Sequence, residues 1–282
     1  MNDRTAGGAG WFEDLTPGAT EEAVVAIRNG GADHPQDWPA KAVAAGQVDD
    51  KQAYYDWLHD ATVEATRRAV QDRERADDQQ LKHSVRAMDD CGRTANELAE
   101  RITEWAGSRY DIETTGLECA RAVADRTPTD ALDERLIAMA ERTVALADER
   151  DELRRVIEQE APTVAPNLAA LAGPVLAARL IALAGSLEAL AKKPSGTLQV
   201  LGAEEALFAH LRGHAPSPKH GIIYTHEYVR GTRPEDRGSA ARALAGKLSI
   251  AARIDHYSGE LRPDLETALD ERIDRIRERA DE

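Results

Sequence analysis

Aromatic residues make up only 4% of this 282-residue chain, although hydrophobic residues of all kinds reach 42%. With Ala and Leu carrying most of the apolar weight, that imbalance disfavours a β-sandwich and favours helices packed on helices. Cysteine is nearly absent. Cys91 and Cys119 are the only two, and they read as unpaired thiols rather than a disulfide framework. No apolar run approaches the ~20 residues needed to span a bilayer, and the opening MNDRTAGGAG has neither the basic nor the apolar region of a signal peptide. The expectation is a cytoplasmic chain with no membrane partner. Lysine is scarce as well: of 36 basic residues, seven are Lys and the rest Arg. The many acidic residues give a formal net charge of −15, which fits a surface adapted to high salt.

What is present is unevenly placed. Residues 1–161 hold 20 basic and 35 acidic side chains, whereas residues 162–256 hold 11 and 7, a net of +4, before residues 257–282 return to 5 and 9. The middle segment is where a polyanion would bind, unless the clustering is chance.

Along the chain, residues 1–50 form a weakly specified unit. It has a short helix at Glu21–Arg28 and breakers at Gly30–Gly31 and Pro35–Pro39. A helix from Asp49 to about Arg75 carries Tyr54, Tyr55, Trp57 and Leu58, as core or as a partner-facing patch. Leu81, Val85, Met88, Gly92, Ala95, Ala99 and Ile102 then follow a 4-3 spacing. After a break from Gly107 to Thr129 it resumes at Leu132, Leu136, Met139, Thr143, Leu146, Arg150, Leu153 and Ile157. Two such helices in one chain form either an antiparallel hairpin or part of a compact bundle. The charge-poor run from Pro166 marks buried helices broken at Gly173–Pro174. A helix at Ala203–Leu211, a strand-like GIIY at Gly221–Tyr224, a long helix at Pro234–Tyr257 and an amphipathic close on Leu265, Leu269, Ile273 and Ile276 complete the pattern.

Catalytic signatures are largely missing. AGKLS at residues 245–249 has Leu248 where a phosphate-binding loop needs Ser or Thr for Mg²⁺, and no dinucleotide fingerprint or nucleophile elbow occurs. His210 and His214 are four apart, but Gly213 separates them, and no Cys pair or HExxH supports zinc. No cofactor is expected, and the chain reads as a binder rather than an enzyme.

Against that background TLQVLGAEEALFAHL (Thr197–Leu211), SPKHGIIY (Ser217–Tyr224) and RGSAARALAGKLSIAARID (Arg237–Asp255) resemble the Nop domain. That domain is the signature module of the Nop-family core proteins of archaeal box C/D guide ribonucleoproteins. APNLAALAG at Ala165–Gly173 and LAGSLEALAKKPSGT fit the same order, and EWAGSRY at Glu104–Tyr110 fits the end of the family's first coiled-coil helix. The resemblance implies a mainly α fold: a small N-terminal, fibrillarin-binding domain at 1–78, a long coiled-coil hairpin at 79–161, a Nop domain at 162–257 and a C-terminal acidic helix at 258–282. It implies a non-catalytic scaffold that binds box C/D guide RNA together with a kink-turn-binding, ribosomal-protein-like factor. Such a scaffold self-associates through the coiled coil and holds the fibrillarin methyltransferase. A Nop-domain module of spliceosomal type, without a methyltransferase partner, is the alternative; an enzyme with an unrecognised site is a more distant one.

Within the module, free backbone amides at Gly202, Ala203 and Glu204 would meet a phosphate where a helix opens. Lys219, His220, Arg237, Arg242, Lys247 and Arg253 are the other RNA-facing candidates. Arg242 and Arg253 share a helix face with Lys247 well round from them, and Arg253 could equally pair internally with Asp255. Gln199, Glu205, Leu207, Phe208 and Tyr224 are assigned to the core or to a protein partner. The family motif reads GAEK where this chain has Gly202-Ala203-Glu204-Glu205, so Glu205 replaces a cation with a charge that repels phosphate.

Overall fold

The computed structural model describes residues 10–13, 15–16, 19–30 and 34–278. Gly31 and the outer ends of the first and last segments, 1–9 and 279–282, lie outside them. The chain divides into two units, Met1–Ala76 and Asp77–Glu282.

The first unit holds α1 (Thr20–Asn29), α2 (Trp38–Ala44) and α3 (Lys51–Glu74). Pro35 stands in irregular chain, but Pro39 does not break structure as the sequence suggests. Pro39 stands in the first turn of α2, where its missing N–H is not needed, and the Asp37 carboxylate caps that turn through Ala40 N at 3.2 Å. Asp50 does the same for α3 through Ala53 N at 2.8 Å. The aromatic cluster is core: Phe12, Tyr54 and Trp57 are buried together, and Trp11 Nε1 donates to the Tyr54 hydroxyl at 3.0 Å. Tyr55 alone of the group is exposed.

The second unit begins with α4 (Asp77–Gly107), α5 (Gly116–Ala124) and α6 (Ala131–Val164). Contacts between Gly92 and Arg150 and between Arg109 and Asp133 fix an antiparallel hairpin. In that register Ala99 faces Thr143, Ile102 faces Ala140 and Ala106 faces Leu136, with small residues opposite larger ones. The seam on α4 follows the predicted positions. On α6 it keeps Leu136, Thr143 and Ile157 but runs through the buried Ala140, Ala147 and Ala161 rather than Met139, Leu146 and Leu153, and Leu132 is 55% exposed. Close approach of the two helices selects the small residue at each alternate position. Met139 is displaced to pack in the cluster beneath α5 and Leu153 against the main core. The expected break at 107–129 is thus partly a helix.

A buried carboxylate ties off the hairpin tip. Asp133 accepts from Arg109 Nε (2.8 Å), the Tyr110 hydroxyl (2.8 Å), and the backbone N and hydroxyl of Thr129. Hydrogen bonds from the Thr129 and Tyr110 hydroxyls, with the Arg109 guanidinium, hold it well below the ordinary carboxylate range.

The helices that follow are short: α7 (Pro166–Ala172), α8 (Pro174–Ala184), α9 (Leu187–Ala191), α10 (Ser195–Gln199), α11 (Glu204–Leu211) and α12 (Glu227–Arg230). Of these, α7, α9, α10 and α12 pack on α13 (Arg237–Tyr257), α8 packs on α4 and α6, and α14 (Asp264–Glu278) buries Leu265, Leu269, Ile273 and Ile276 in the same core. The strand-like reading of 221–224 is corrected, since Ile222–Thr225 is a 3₁₀ turn. Gly221 N and Ile222 N each donate to an opposing carbonyl (Gln199 O and Leu201 O, both 2.8 Å). The chain then turns so that Ile223 can enter the core. Two ladder-like bonds are too few to hold a strand.

Two aspartates from the long helices cap short ones in trans. Asp255 of α13 accepts from Asn167 N, Leu168 N (2.9 Å each) and Asn167 Nδ2 (2.6 Å) at the start of α7. Asp78 of α4 accepts from Leu187 N (2.9 Å) at the start of α9. Asn167 extends the first contact, donating to Glu260 O and accepting from Arg262 N. Replacing Asp255 with Ala strands these buried donors and removes a charge from a helix N-terminus, so chemical unfolding should lose about 2–4 kcal/mol relative to the parent. A loss within the range of ordinary surface substitutions would contradict the cap's role.

Candidate nucleic-acid and partner interface

The predicted site residues fall into three groups around the 199–202 and 219–222 segments. The first group bolts those segments together. Gln199 donates its side-chain amide to Lys219 O at 2.7 Å, while its own carbonyl receives Gly221 N. Gly221 lies so close to this strip that a Cβ there would stand 2.0 Å from Leu201 O, which no side chain can do. Gln199 therefore holds the loop instead of facing a partner, and Gly221, passed over in the sequence, is the residue that permits the approach. Its only signal was a glycine at the head of an apolar run.

The second group is the mouth of α11. Gly202 has φ +83° and fits against Leu183 and Ile222. Its N–H is occupied by Glu204 Oε1 at 2.9 Å, and the Ala203 N–H by Val200 O at 2.9 Å. The free amides expected at Gly202 and Ala203 are thus engaged. The open ones belong to the first turn of α11, from Glu204 to Ala206, which has no side-chain cap. Glu204 and Glu205 stand exposed at that turn and place negative charge where a phosphate would approach. Beyond them α11 buries no residue at all. Leu207 is half-buried, whereas Phe208 and Leu211 are 57% and 70% exposed. A short helix with its apolar side chains in solvent has the character of a protein-docking surface. His210 faces the Ala215 carbonyl through Nδ1 at 2.9 Å.

The third group is cationic. His220 stacks on Tyr224 with ring centroids 4.6 Å apart and planes 21° from parallel, and the Arg237 guanidinium lies 5.4 Å from the same Tyr224 ring. Arg237 also donates Nε to Thr232 O at 3.1 Å, so it braces this stack from behind. Tyr224 is half-buried between the two and is a wedge within the site. Burial, and then the nearby Arg237 charge, push the His220 imidazole below its ordinary range. On α13, Arg242 is exposed and Lys247 half-buried. Arg253 directs Nε to Ala191 O at 3.2 Å and not to Asp255, whose carboxylate is committed to α7. The internal ion pair weighed for Arg253 does not form.

These placements give a testable protonation state. In the free chain His220 should titrate below ~6.5, the value of an unperturbed imidazole, and remain neutral at pH 7. NMR of its Cε1–H resonance checks this, and a midpoint above that value would contradict the buried stack.

The descriptive model of the Nop family, "snoRNA binding domain, fibrillarin", matches residues 118–278. A NOP5 family protein of Methanocaldococcus jannaschii is 34% identical over 257 residues, covering 78% of this chain and 62% of that protein. Nucleolar protein 56 of Schizosaccharomyces pombe is 44% identical over 125 residues, 44% of this chain and 25% of its own length. This chain therefore spans less than two thirds of these relatives. A chain in the crystal structure of a fibrillarin/Nop5p complex is similar in fold, with a TM-score of 0.53 and 26% identity over 95% of this chain and 98% of that one. On sequence and fold together, the chain belongs to the Nop family.

Proposed function

We propose that this chain is the non-catalytic scaffold of a box C/D guide ribonucleoprotein. In this reading the Nop domain, residues 162–257, engages a kink-turn RNA jointly with the small ribosomal-protein-like factor that folds it. Residues 1–78 hold fibrillarin, and the hairpin at 79–161 self-associates and sets the distance between the two ends. The relation to a chain solved in a fibrillarin/Nop5p complex supports the fibrillarin partner. The acidic, Arg-rich surface accords with a salt-adapted archaeal cytoplasm.

The observation that carries this reading is the pairing of opposite characters on one bolted platform. The apolar face of α11 (Phe208, Leu211) follows within a few residues of the segment that Gln199 and Gly221 lock to Lys219 and His220. The cations are too few, and Glu204 and Glu205 too close, for phosphate attraction alone to give tight binding. An apolar helix beside a modest basic edge is half of a composite site, completed by a protein that itself holds RNA.

Reconstitution tests it. The full chain, kink-turn factor, fibrillarin and guide RNA together should transfer methyl groups to a target ribose. Omission of any one should reduce the rate to background, and fibrillarin should co-purify with the full chain. Methylation by this chain without fibrillarin, or undiminished methylation without this chain, would overturn the scaffold reading.

A further inference from the structure

Helix α12 has only four residues, Glu227–Arg230, too few to hold a position by their own hydrogen bonds. Side-chain contacts place it instead. Val229 is buried in the core, and the His226 ring accepts from Tyr228 N at 3.1 Å through Nδ1. The Tyr228 hydroxyl donates to the Asp270 carboxylate of α14. Burial first, and then the Asp270 carboxylate, push the Tyr228 hydroxyl up to about 12, so it stays protonated and donating at neutral pH. Arg277 stands about two turns beyond Asp270 on the same line of α14. Its Nη2 lies 3.5 Å from where a Cβ on Gly231 would be, just past the end of α12. One line of α14 thus meets α12 along its length, while Leu265, Leu269, Ile273 and Ile276 fix α14 in the core.

What α12 holds in turn is the corner behind the turn at Lys219–His220. The Tyr228 carbonyl accepts from the hydroxyl of Thr232, a buried residue, at 2.6 Å. The Thr232 carbonyl accepts from Arg237 Nε at 3.1 Å, and the Arg230 carbonyl from Arg237 Nη2 at 3.5 Å. Carbonyls at and just beyond the C-terminal end of α12 therefore aim the Arg237 guanidinium. From there it covers the Tyr224 ring, on which His220 is stacked. Lys219 lays its stem over Gly238, where a Cβ would stand 3.7 Å from it. A continuous run of hydrogen-bonded and stacked groups joins Asp270 to the turn.

We propose that Asp270, through Tyr228, is a positioning residue for the Lys219–His220 turn: α14 sets the place of α12, and α12 sets the Arg237–Tyr224–His220 stack. The inference deepens the scaffold reading and rests on it. It also runs against simple electrostatics. Asp270 is half-buried and carries a charge that repels phosphate. On charge alone, its removal should strengthen RNA binding or leave it unchanged. Positioning requires that its removal weaken binding, so the sign of the effect separates the two.

Full-length Asp270→Ala, Asp270→Asn and Tyr228→Phe chains are each titrated against a kink-turn RNA already carrying the kink-turn factor. Asp270→Ala and Tyr228→Phe should each weaken binding by about 3–10-fold, the size of effect expected for a residue coupled to a site it does not touch. The salt slope should stay that of the parent, because no phosphate contact is lost. Asp270→Asn should restore parent affinity, since its amide oxygen still accepts from the tyrosine hydroxyl. The double variant Asp270→Ala/Tyr228→Phe should bind no more weakly than either single change, because both break one bond. NMR of the free chain adds a geometric readout. The His220 Cε1–H resonance, displaced by the ring current of the stacked Tyr224, should move in Asp270→Ala and Tyr228→Phe and stay in place in Asp270→Asn. Tyr228→Phe keeps the ring and its packing, and it carries the test if Asp270→Ala does not fold. Parent-like or tighter binding by Tyr228→Phe with the His220 resonance unmoved would overturn the proposal, as would an Asp270→Asn chain as weak as Asp270→Ala. Failure of the parent chain to bind the RNA–factor complex would instead overturn the scaffold reading, and the His220 resonance would still test the link from Asp270 to the turn.

Discussion

Capping of short helices by buried carboxylates from long ones is the constraint on which the second unit depends. Helices of five to seven residues such as α7, α9 and α10 are too short to be stable alone, because nucleation costs more than a turn or two returns. Asp255 supplies the first-turn amides of α7 with a charged acceptor, and Asp78 does so for α9. Each aspartate is buried, so the bond forms in a medium where it is strong and where leaving it unmade is costly. The carboxylates also place the elements. Asp255 sets α7 against α13, and Asp78 sets α9 against the root of α4. Gln79, Arg86 and Asp89 add contacts from α4 to Gly185, Ala182 and Arg179. The helix that forms half of the hairpin is therefore continuous with the frame that holds the interface.

In the proposed reading, that arrangement makes the candidate interface rely on geometry more than on charge. Gln199, Gly221 and the His220–Tyr224–Arg237 stack all serve to hold a loop in place. They leave Lys219 and the α13 cations at defined positions on a rigid backing. In a strongly acidic chain, and in concentrated salt where the Debye length shrinks to ~3 Å, long-range attraction contributes little. In the scaffold reading we propose, short contacts at fixed positions then have to do the recognition, and the exposed apolar side of α11 supplies the remainder.

How much of this was legible in the sequence depended on the range of the interaction concerned. Helix existence was readable, because amphipathic periodicity and breakers are local: α3, α4, α11, α13 and α14 fall close to where their patterns predict. The α4 seam was readable for the same reason. The α6 seam was misplaced by one position at alternate steps, because periodicity favours the larger side chain, whereas packing against a close partner selects Ala140 and Ala147. The α2 helix was hidden by Pro35 and Pro39, since a proline that starts a helix and one that breaks it look alike without the Asp37 cap. The candidate site residues were named by type, but the contacts each of them makes were not. That Arg237 braces Tyr224, that Glu204 occupies the Gly202 amide, and that Asp255 faces α7 rather than Arg253 are all long-range or rotameric facts.

The central claim is that this surface is half of a site, completed by a partner already bound to RNA. The most direct measurement is the affinity of the full chain for one kink-turn RNA with and without the kink-turn factor, beside a plain duplex of equal length at the same salt. The account predicts tight binding to the RNA–factor complex, and binding to bare kink-turn RNA that is weak and no better than to duplex. Equal affinity for all three would contradict it.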